Sequence, residues 1–563
     1  MLFHRENLRV ALGQFALPQI RLRSRSVSRP RAPVALTATG LLIAMAVLLP
    51  IVYLVIRSVG AGEAASEMLF RARTGAIVVR SLVLVVVVTA GSVAIAVPLA
   101  WLTTRTDLPG RRWWVVAAVL PLVVPSYVAA MVAVAALGPR GMLQGALDRI
   151  FGIERLPAIY GLPGAALVLV LLSYPYVFVT VRAALRRMDP ALDEAARGLG
   201  YGPGRTSLKV TLPLLRPAIA AGALLVALYT LSDFGAVSLL GYETFTWAIF
   251  IQYETTFDRT AASALSLVLI AVALGILLLD SATHARGRYH RSTSGAVRPV
   301  SNLSLGRWRW PAAIGVGTLV TSAVIAPLGV LCFWVARGAS AGGVEFPWPS
   351  AWNSLRVSLL AAAVSSALAL PVAILAVRFA GRFAAFLDRA THMGFALPGV
   401  VVALALVFFG VNFAAPLYQT IALLVFAYTV LFLPAASGAI KTSLLQVNPH
   451  VEEAARSLGR SEVKTILQVT LPLITPGILT GAAMVFLLTM KELPATLILG
   501  PLGFKTLATE VWSAASEAFF AKAALPAIML VLAAGAPTAF LLLRESRRAS
   551  DDGEGRSPGG NGA

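Results

Sequence analysis

The sequence predicts an all-α polytopic membrane protein with about 12 transmembrane helices, built as a tandem parallel repeat of two six-helix units. Three observations carry that prediction. Hydrophobic residues make up 58% of the chain and charged residues only 13%, with a mean hydropathy of +0.80, whereas a soluble chain carries about 25% charge. The apolar residues fall in stretches of about 20, the length that crosses a bilayer as helix; strand barrels instead alternate over segments of about ten. Finally, one polar stretch occurs twice. Asp189–Pro213 reads DPALDEAARGLGYGPGRTSLKVTLP, and Asn448–Pro472 reads NPHVEEAARSLGRSEVKTILQVTLP, 259 residues later without a gap.

Taken in order, residues 1–33 form a basic segment. It lacks the cleavage site of a signal peptide, and Arg21, Arg23, Arg25, Arg29 and Arg31 are expected to flank the first span on the cytoplasmic side. The first unit, 34–282, holds spans near 34–57, 77–103, 113–137, 161–185, 213–240 and 260–281, with a polar loop at 189–213. A basic linker, 283–310, leads to the second unit, 311–543. Its spans lie near 311–335, 355–378, 392–413, 417–440, 472–499 and 523–543, and its polar loop at 448–472. The tail, 544–563, is polar, Gly-rich and expected to be disordered.

Charge sets the orientation. The net charge of +21 would suggest nucleic acid in a soluble protein. Here the basic residues sit in short loops, where they fix topology and meet anionic lipid heads, so the expected contact is the bilayer and not nucleic acid. Arg111, Arg112, Arg186, Arg187, Arg378, Arg382, Arg389 and Lys441 all fall on one side when both termini are placed in the cytoplasm. Both polar loops then face the cytoplasm too. The single cysteine, Cys332, excludes an intrachain disulfide and a cysteine metal cluster.

The repeat extends beyond the loops. From Asp189 to Gly235 against Asn448 to Pro494, 21 of 47 positions are identical. Tyr174-Pro175 matches Leu433-Pro434 at the same offset, and Leu120-Pro121 resembles Leu397-Pro398 at a larger one, with an extra external segment near Gly138–Tyr160 in the first unit. Equivalent loops on one side after six spans make the repeat parallel.

Each loop is written as a short helix of about ten residues, roughly 15 Å long. Asp189 and Asn448 are good N-caps, and Pro190 and Pro449 suit the first helical position. Asp193, Glu194, Glu452 and Glu453 sit near the positive end of the dipole. Gly200 and Gly459 let the helices stop, and the alanine pairs allow another surface to approach closely. A rigid helix repeated in both units reads as a docking element for a cytoplasmic partner. Glu194-Ala195-Ala196, Gly200 and Val210-Thr211-Leu212-Pro213 resemble the EAA loop of binding-protein-dependent ABC importer permeases, and Glu453-Ala454-Ala455, Gly459 and Val469-Thr470-Leu471-Pro472 repeat it at the same spacing. The resemblance implies that Glu194, Ala195, Ala196, Gly200, Glu453, Ala454, Ala455 and Gly459 lie where two copies of a cytoplasmic ABC ATPase dock. It also implies an extracytoplasmic substrate-binding protein and a bacterial inner membrane. The chain has no G-x-x-x-x-G-K-[ST] phosphate loop, so it is expected to be a permease subunit and not itself an enzyme, with ATP and Mg2+ on the partner and no cofactor of its own.

Two acids interrupt the spans: Asp233 in LYTLSDFGAVSLL and Glu492 in LLTMKELPATLIL, again 259 apart. Intramembrane acids face the bundle interior and mark a pathway or a buried pair. Tyr229, four residues before Asp233, shares its helical face, which makes Tyr229, Asp233 and Glu492 the candidate translocation path; no metal ligands are assigned. Lys491, adjacent to Glu492, is expected to pair with an acid elsewhere. The segments SDFGAVSLLGYETFTWAIFIQY and MKELPATLILGPLGFKTLATEVW resemble the fused permeases of ferric iron importers, with Lys505 standing where an acid is expected. Ferric iron is a hard cation that takes oxygen ligands, and Tyr242, Glu243, Tyr253 and Glu254 could add oxygens, although the aromatic-acid pairs at 242–243 and 253–254 read first as interfacial anchors and docking points for the binding protein. Similar fused permeases handle other small solutes such as thiamine. An ion-coupled secondary transporter is the rival class, but it needs no duplicated docking helix.

Overall fold

The protein is described here by a computed structural model covering residues 32–60, 71–139, 141–153, 156–255, 259–284, 303–340, 345–379 and 381–535. The basic N-terminal residues up to 31, most of the linker and the tail lie outside the described residues. Among those described, the architecture is helical, with one isolated β-bridge between Thr106 and Leu303. Ten helical stretches are long and apolar enough to cross a membrane, from Val34–Arg57 to Glu462–Met490. Two shorter apolar helices, Gly399–Phe413 and Phe520–Gly535, occupy the places of the ninth and twelfth expected spans.

Several expected spans are broken, and proline and the acids explain where. The third, expected as continuous over 113–137, is a helix Arg111–Ala117, a 3-10 turn Leu120–Val123 and a helix Ser126–Leu137. Pro121 and Pro125 supply no N–H and clash with a preceding turn. The equivalent stretch has a 3-10 turn Met393–Ala396 before Gly399–Phe413. Pro125 and Pro398 both precede the helix in extended backbone, with φ, ψ of −65°, 148° and −61°, 143°. The structural counterpart of Leu397-Pro398 is therefore Val124-Pro125, not Leu120-Pro121. The extra external segment between this point and the first polar loop carries a helix Met142–Phe151, which ends in a left-handed Gly152.

The fifth and eleventh spans begin alike. Five-residue π turns, Ser207–Thr211 and Ile466–Thr470, lead into helices Leu212–Ser232 and Leu471–Met490. A widened turn relieves the clash that Pro213 and Pro472 would cause in a regular helix. Both spans stop earlier than expected, because Asp233 and Glu492 break them.

The two units exchange their first helices. Val34–Gly60 packs against the second unit: Tyr53 donates to the Phe408 carbonyl at 3.3 Å, and the Arg57 guanidinium lies 4.4 Å from the Phe408 ring. In return, the helix Ala326–Ser340 packs on the first unit against Ser126–Leu137, and the π turn Thr321–Ile325 before it packs against Leu162–Arg187. The end of the linker is stapled to the first unit as well. The Leu303 N–H donates to the Arg105 carbonyl at 2.8 Å, and the Leu305 N–H to Asp107 Oδ1 at 2.8 Å.

Candidate functional site: two loop helices and a capped central cavity

The polar loops form helices of nine residues, Pro190–Gly198 and Pro449–Ser457. Asp189 Oδ1 accepts from the Ala191 N–H and Asn448 Oδ1 from the His450 N–H, each at 3.0 Å. At the other end Gly200 and Gly459 adopt φ of 81° and 82°. The Tyr201 and Arg460 N–H groups reach back to the Ala196 and Ala455 carbonyls, while those of Gly200 and Gly459 reach Arg197 and Arg456. This is a Schellman closure, which a left-handed glycine permits. The cap expectations hold at both ends of both helices.

Alternation of exposure gives each helix two faces. Ala196 and Ala455 are buried against the bundle, whereas Glu194, Ala195, Gly200, Glu453, Ala454 and Gly459 are exposed. The Glu453 carboxylate lies 3.0 Å from His450 Nδ1 on the surface. The same outward face carries apolar residues that the sequence reading passed over: Leu199 and Leu458 are 80% and 84% exposed, with Leu192 and Val451 beside them. Matched apolar residues left in water on duplicated helices are the mark of a surface built for a partner.

The second helix is tied to the bundle by an ion-paired knot. Arg378, the last residue of the helix Trp348–Arg378, places Nε 3.1 and 2.9 Å from the two Glu452 carboxylate oxygens. Thr470 donates to Glu452 at 3.0 Å, and Arg378 also donates to the Val447 carbonyl at 3.1 Å. Three elements thus meet on one buried carboxylate. In the first unit Arg105 is buried at the end of the equivalent helix; the side chain of Asp193, the counterpart of Glu452, lies outside the described residues.

Deeper in the membrane, Tyr229, Asp233 and Glu492 come together around one cavity of about 250 Å³, shared with Tyr127, Tyr176 and Lys491. Both acids act on the backbone. Asp233 Oδ1 accepts from the Ala236 and Val237 N–H groups at 2.9 and 3.4 Å, capping the short helix Gly235–Leu239. Glu492 Oε1 accepts from the Ala495 N–H at 3.2 Å, capping Pro494–Leu499. A helix broken inside the bilayer leaves N–H groups that only the protein can satisfy, and these carboxylates satisfy them. Among the described residues Lys491 pairs with no acid: it crosses to the other unit and donates to the Leu122 carbonyl at 2.8 Å. Among the described residues no group of three or more His, Cys, Asp or Glu could hold a metal ion.

On the outer side of the cavity the units meet through aromatic rings. Phe234 lies 4.9 Å from Phe250 and 5.9 Å from Trp512, and Phe250 lies 5.8 Å from Trp512 edge-on. Trp512 also donates to Ser238 Oγ at 3.2 Å. Phe250 and Trp512 occupy equivalent places on the helices Phe245–Glu254 and Leu507–Ser516. The start of each helix bonds to a serine of its own second span, Phe245 N–H to Ser81 and Leu507 N–H to Ser354. Sequence reading missed this plug because one of its rings belongs to a different unit. Of the outer acids, Glu243 binds Arg73 and Arg80 at 2.9 and 2.8 Å, while Tyr242 donates to the Arg80 carbonyl. That pair anchors the outer loop to the second span.

The family of binding-protein-dependent transport system inner membrane components matches this chain twice, over residues 94–286 and 365–543. The chain belongs to that family. Each match leaves out the exchanged first helix of its unit, so the family-wide core is the part that carries the loop helix and the capped break. Among curated relatives, an Fe(3+)-transport system permease protein of Haemophilus influenzae is 35% identical over 91% of this chain and 98% of the relative. A ferric transport system permease protein of Actinobacillus pleuropneumoniae is 26% identical over 68% of this chain and 58% of its own length. The molybdenum transport system permease protein of Escherichia coli is 33% identical over 32% of this chain and 80% of the relative. The protein is a multi-pass membrane permease of ABC type, with both permease units in one chain.

Proposed function

We propose that this chain is the permease subunit of an ATP-driven importer of ferric iron. The observation that carries the proposal is the similarity to the Haemophilus influenzae Fe(3+) permease along nearly the whole of both chains. Two copies of a cytoplasmic ABC ATPase, which hold the ATP and Mg2+, dock on the exposed faces around Glu194, Leu199 and Gly200, and around Glu453, Leu458 and Gly459. A periplasmic binding protein delivers the cargo to the opposite face. The membrane is the bacterial inner membrane, and both termini are cytoplasmic.

In this reading, closure of the ATPase pair pushes the loop helices together, and the buried Glu452–Arg378 pair passes that movement to the bundle. The aromatic plug then parts to admit cargo into the cavity around Tyr229, Asp233 and Glu492. The carboxylates hold the broken helices open on either side of the path, and the oxygens that line it suit a hard cation. The test is radiolabelled ferric iron uptake by proteoliposomes holding the chain, its ATPase and its binding protein, competed with molybdate and with thiamine. ATP-dependent uptake that only ferric iron competes is the expected result. Transport by the lone chain without ATPase would overturn the proposal, and competition by molybdate or thiamine would overturn the assignment of the cargo.

A further inference from the structure

A second cavity, of about 1090 Å³, lies on the outer side of the molecule, beyond the aromatic plug, and shares no lining residue with the capped cavity. Its walls come from four places in the chain. They are the helix Ser126–Leu137 with the inserted helix Met142–Phe151, Ser238 and Leu239 with Trp247, the end of the exchanged helix Ala326–Ser340, and the turn after Leu507–Ser516. Five aromatic rings line it, from Tyr160, Trp247, Phe333, Trp334 and Phe520, together with two cations, Arg149 and Arg337. Among the described residues no acidic side chain lines it. Asp148 and Glu517 are neighbours in sequence but are not part of the wall. Neither arginine has a carboxylate partner among the described residues; Arg337 rests 5.8 Å from the Trp334 ring centroid.

We propose that this cavity is a seat for an acidic phospholipid of the outer leaflet. Position argues for lipid over a soluble anion. The stretch Gly306–Ser340 is long and apolar enough to cross a membrane, and at 1.5 Å per residue Arg337 stands about 42 Å along it from Arg309. That separation places it at the outer headgroup level of a bilayer about 40–45 Å thick. Phe333, one turn below, is 42% exposed on this apolar helix, so that wall opens to the acyl chains. Met142–Phe151 exposes Leu143, Ile150 and Phe151 beside Arg149, the composition of a helix lying in the interface. The volume reaches the upper end of small-ligand pockets, enough for a headgroup and the first part of its chains. Arginines at the rim meet the phosphate, and the aromatic rings below meet glycerol and chain, as amphipathic residues do at membrane interfaces. The insertion that creates this seat has no equivalent in the second unit, so one lipid binds per chain.

The test uses the full chain in nanodiscs of equal phosphatidylglycerol and phosphatidylcholine, with a trace of a photoactivatable analogue of one or the other. Peptides from 131–149 and 326–340 are then examined for label. The phosphatidylglycerol analogue is expected to label them more strongly, by about fivefold for each arginine. Arg149→Gln with Arg337→Gln should lower its labelling to the phosphatidylcholine level, while the paired Lys variants keep the preference. Unchanged labelling of 382–392, on the cytoplasmic side, reports correct insertion; if the Gln variant fails to insert, the wild-type comparison of the two lipids decides alone. Equal labelling by both lipids in the wild type overturns the proposal, as does a preference that survives the Gln pair in an inserted variant. Displacement of the label by millimolar inorganic phosphate also overturns it, since the site would then serve a soluble anion.

Discussion

The two units share a backbone and differ in the groups hung upon it. Their loop helices match in length, cap bonds and glycine φ to within a degree. Their broken spans both start with a π turn and end on a capping acid. Yet the residue before the acid is Ser232 in one and Lys491 in the other, and only the lysine bridges the units. The plug likewise sets a phenylalanine against a tryptophan at equivalent places, and the outer insertion belongs to the first unit alone. Fusion of two units in one chain frees each to vary its side chains while symmetry of the backbone is kept. What both copies hold in common is the capped loop helix, the π turn and the capped break. What differs lies around the central cavity and in the inserted helix Met142–Phe151.

That contrast can be broken or sharpened by substitution. The largest effect is expected from Glu194→Lys combined with Glu453→Lys, which reverses charge on both docking faces. ATP-dependent uptake should fall to background while the amount in the membrane stays unchanged; undiminished uptake would remove the loop helices from their proposed role. Next, Arg378→Met leaves Glu452 buried without its partner. A loss of about 3 kcal/mol in stability is expected, read as earlier thermal unfolding in detergent, and adding Glu452→Leu should recover most of it. If the single variant unfolds like wild type, the knot does not hold the second loop helix.

Smaller effects test the asymmetry of the path. Lys491→Met removes the cross-unit bond to the Leu122 carbonyl and should cost about 1 kcal/mol, whereas Ser232→Met, on the side without such a bond, should leave crosslinking between 122 and 491 regions unaltered. The smallest difference is expected at the caps. Asp189→Ala and Asn448→Ala should each destabilise by about 1 kcal/mol, and by equal amounts, since their bonds are the same length. Hydrogen exchange at the first turns of the two helices measures this, and unequal protection would show that the units are less alike than their backbones.

Much of this was legible in sequence because it rests on local rules. Hydropathy located the spans, and Asp189, Pro190 and Gly200 spelled out a helix with both ends, as did Asn448, Pro449 and Gly459. The acids at 233 and 492 could be singled out because charge is rare at membrane depth. Their work could not: whether a carboxylate lines a path, caps a helix or does both depends on where the backbone stops being helical. The notion that Lys491 seeks an acid failed for the same reason, since a carbonyl freed at the broken third span was the nearer acceptor.

By itself, then, the sequence determined an all-α membrane protein of two repeated units, the pair of capped loop helices and the two acids that interrupt the spans, all set by periodicity, charge and caps between residues close in the chain. Only the tertiary structure decided the exchange of first helices, the Glu452–Arg378 knot, the aromatic plug and the outer cavity. Each of these joins residues from different spans, and the bilayer supplies no hydrophobic push between spans that could be read from apolar pattern alone. Which helix meets which is settled by the fit of side chains across the bundle, and that fit exists only once the chain has folded.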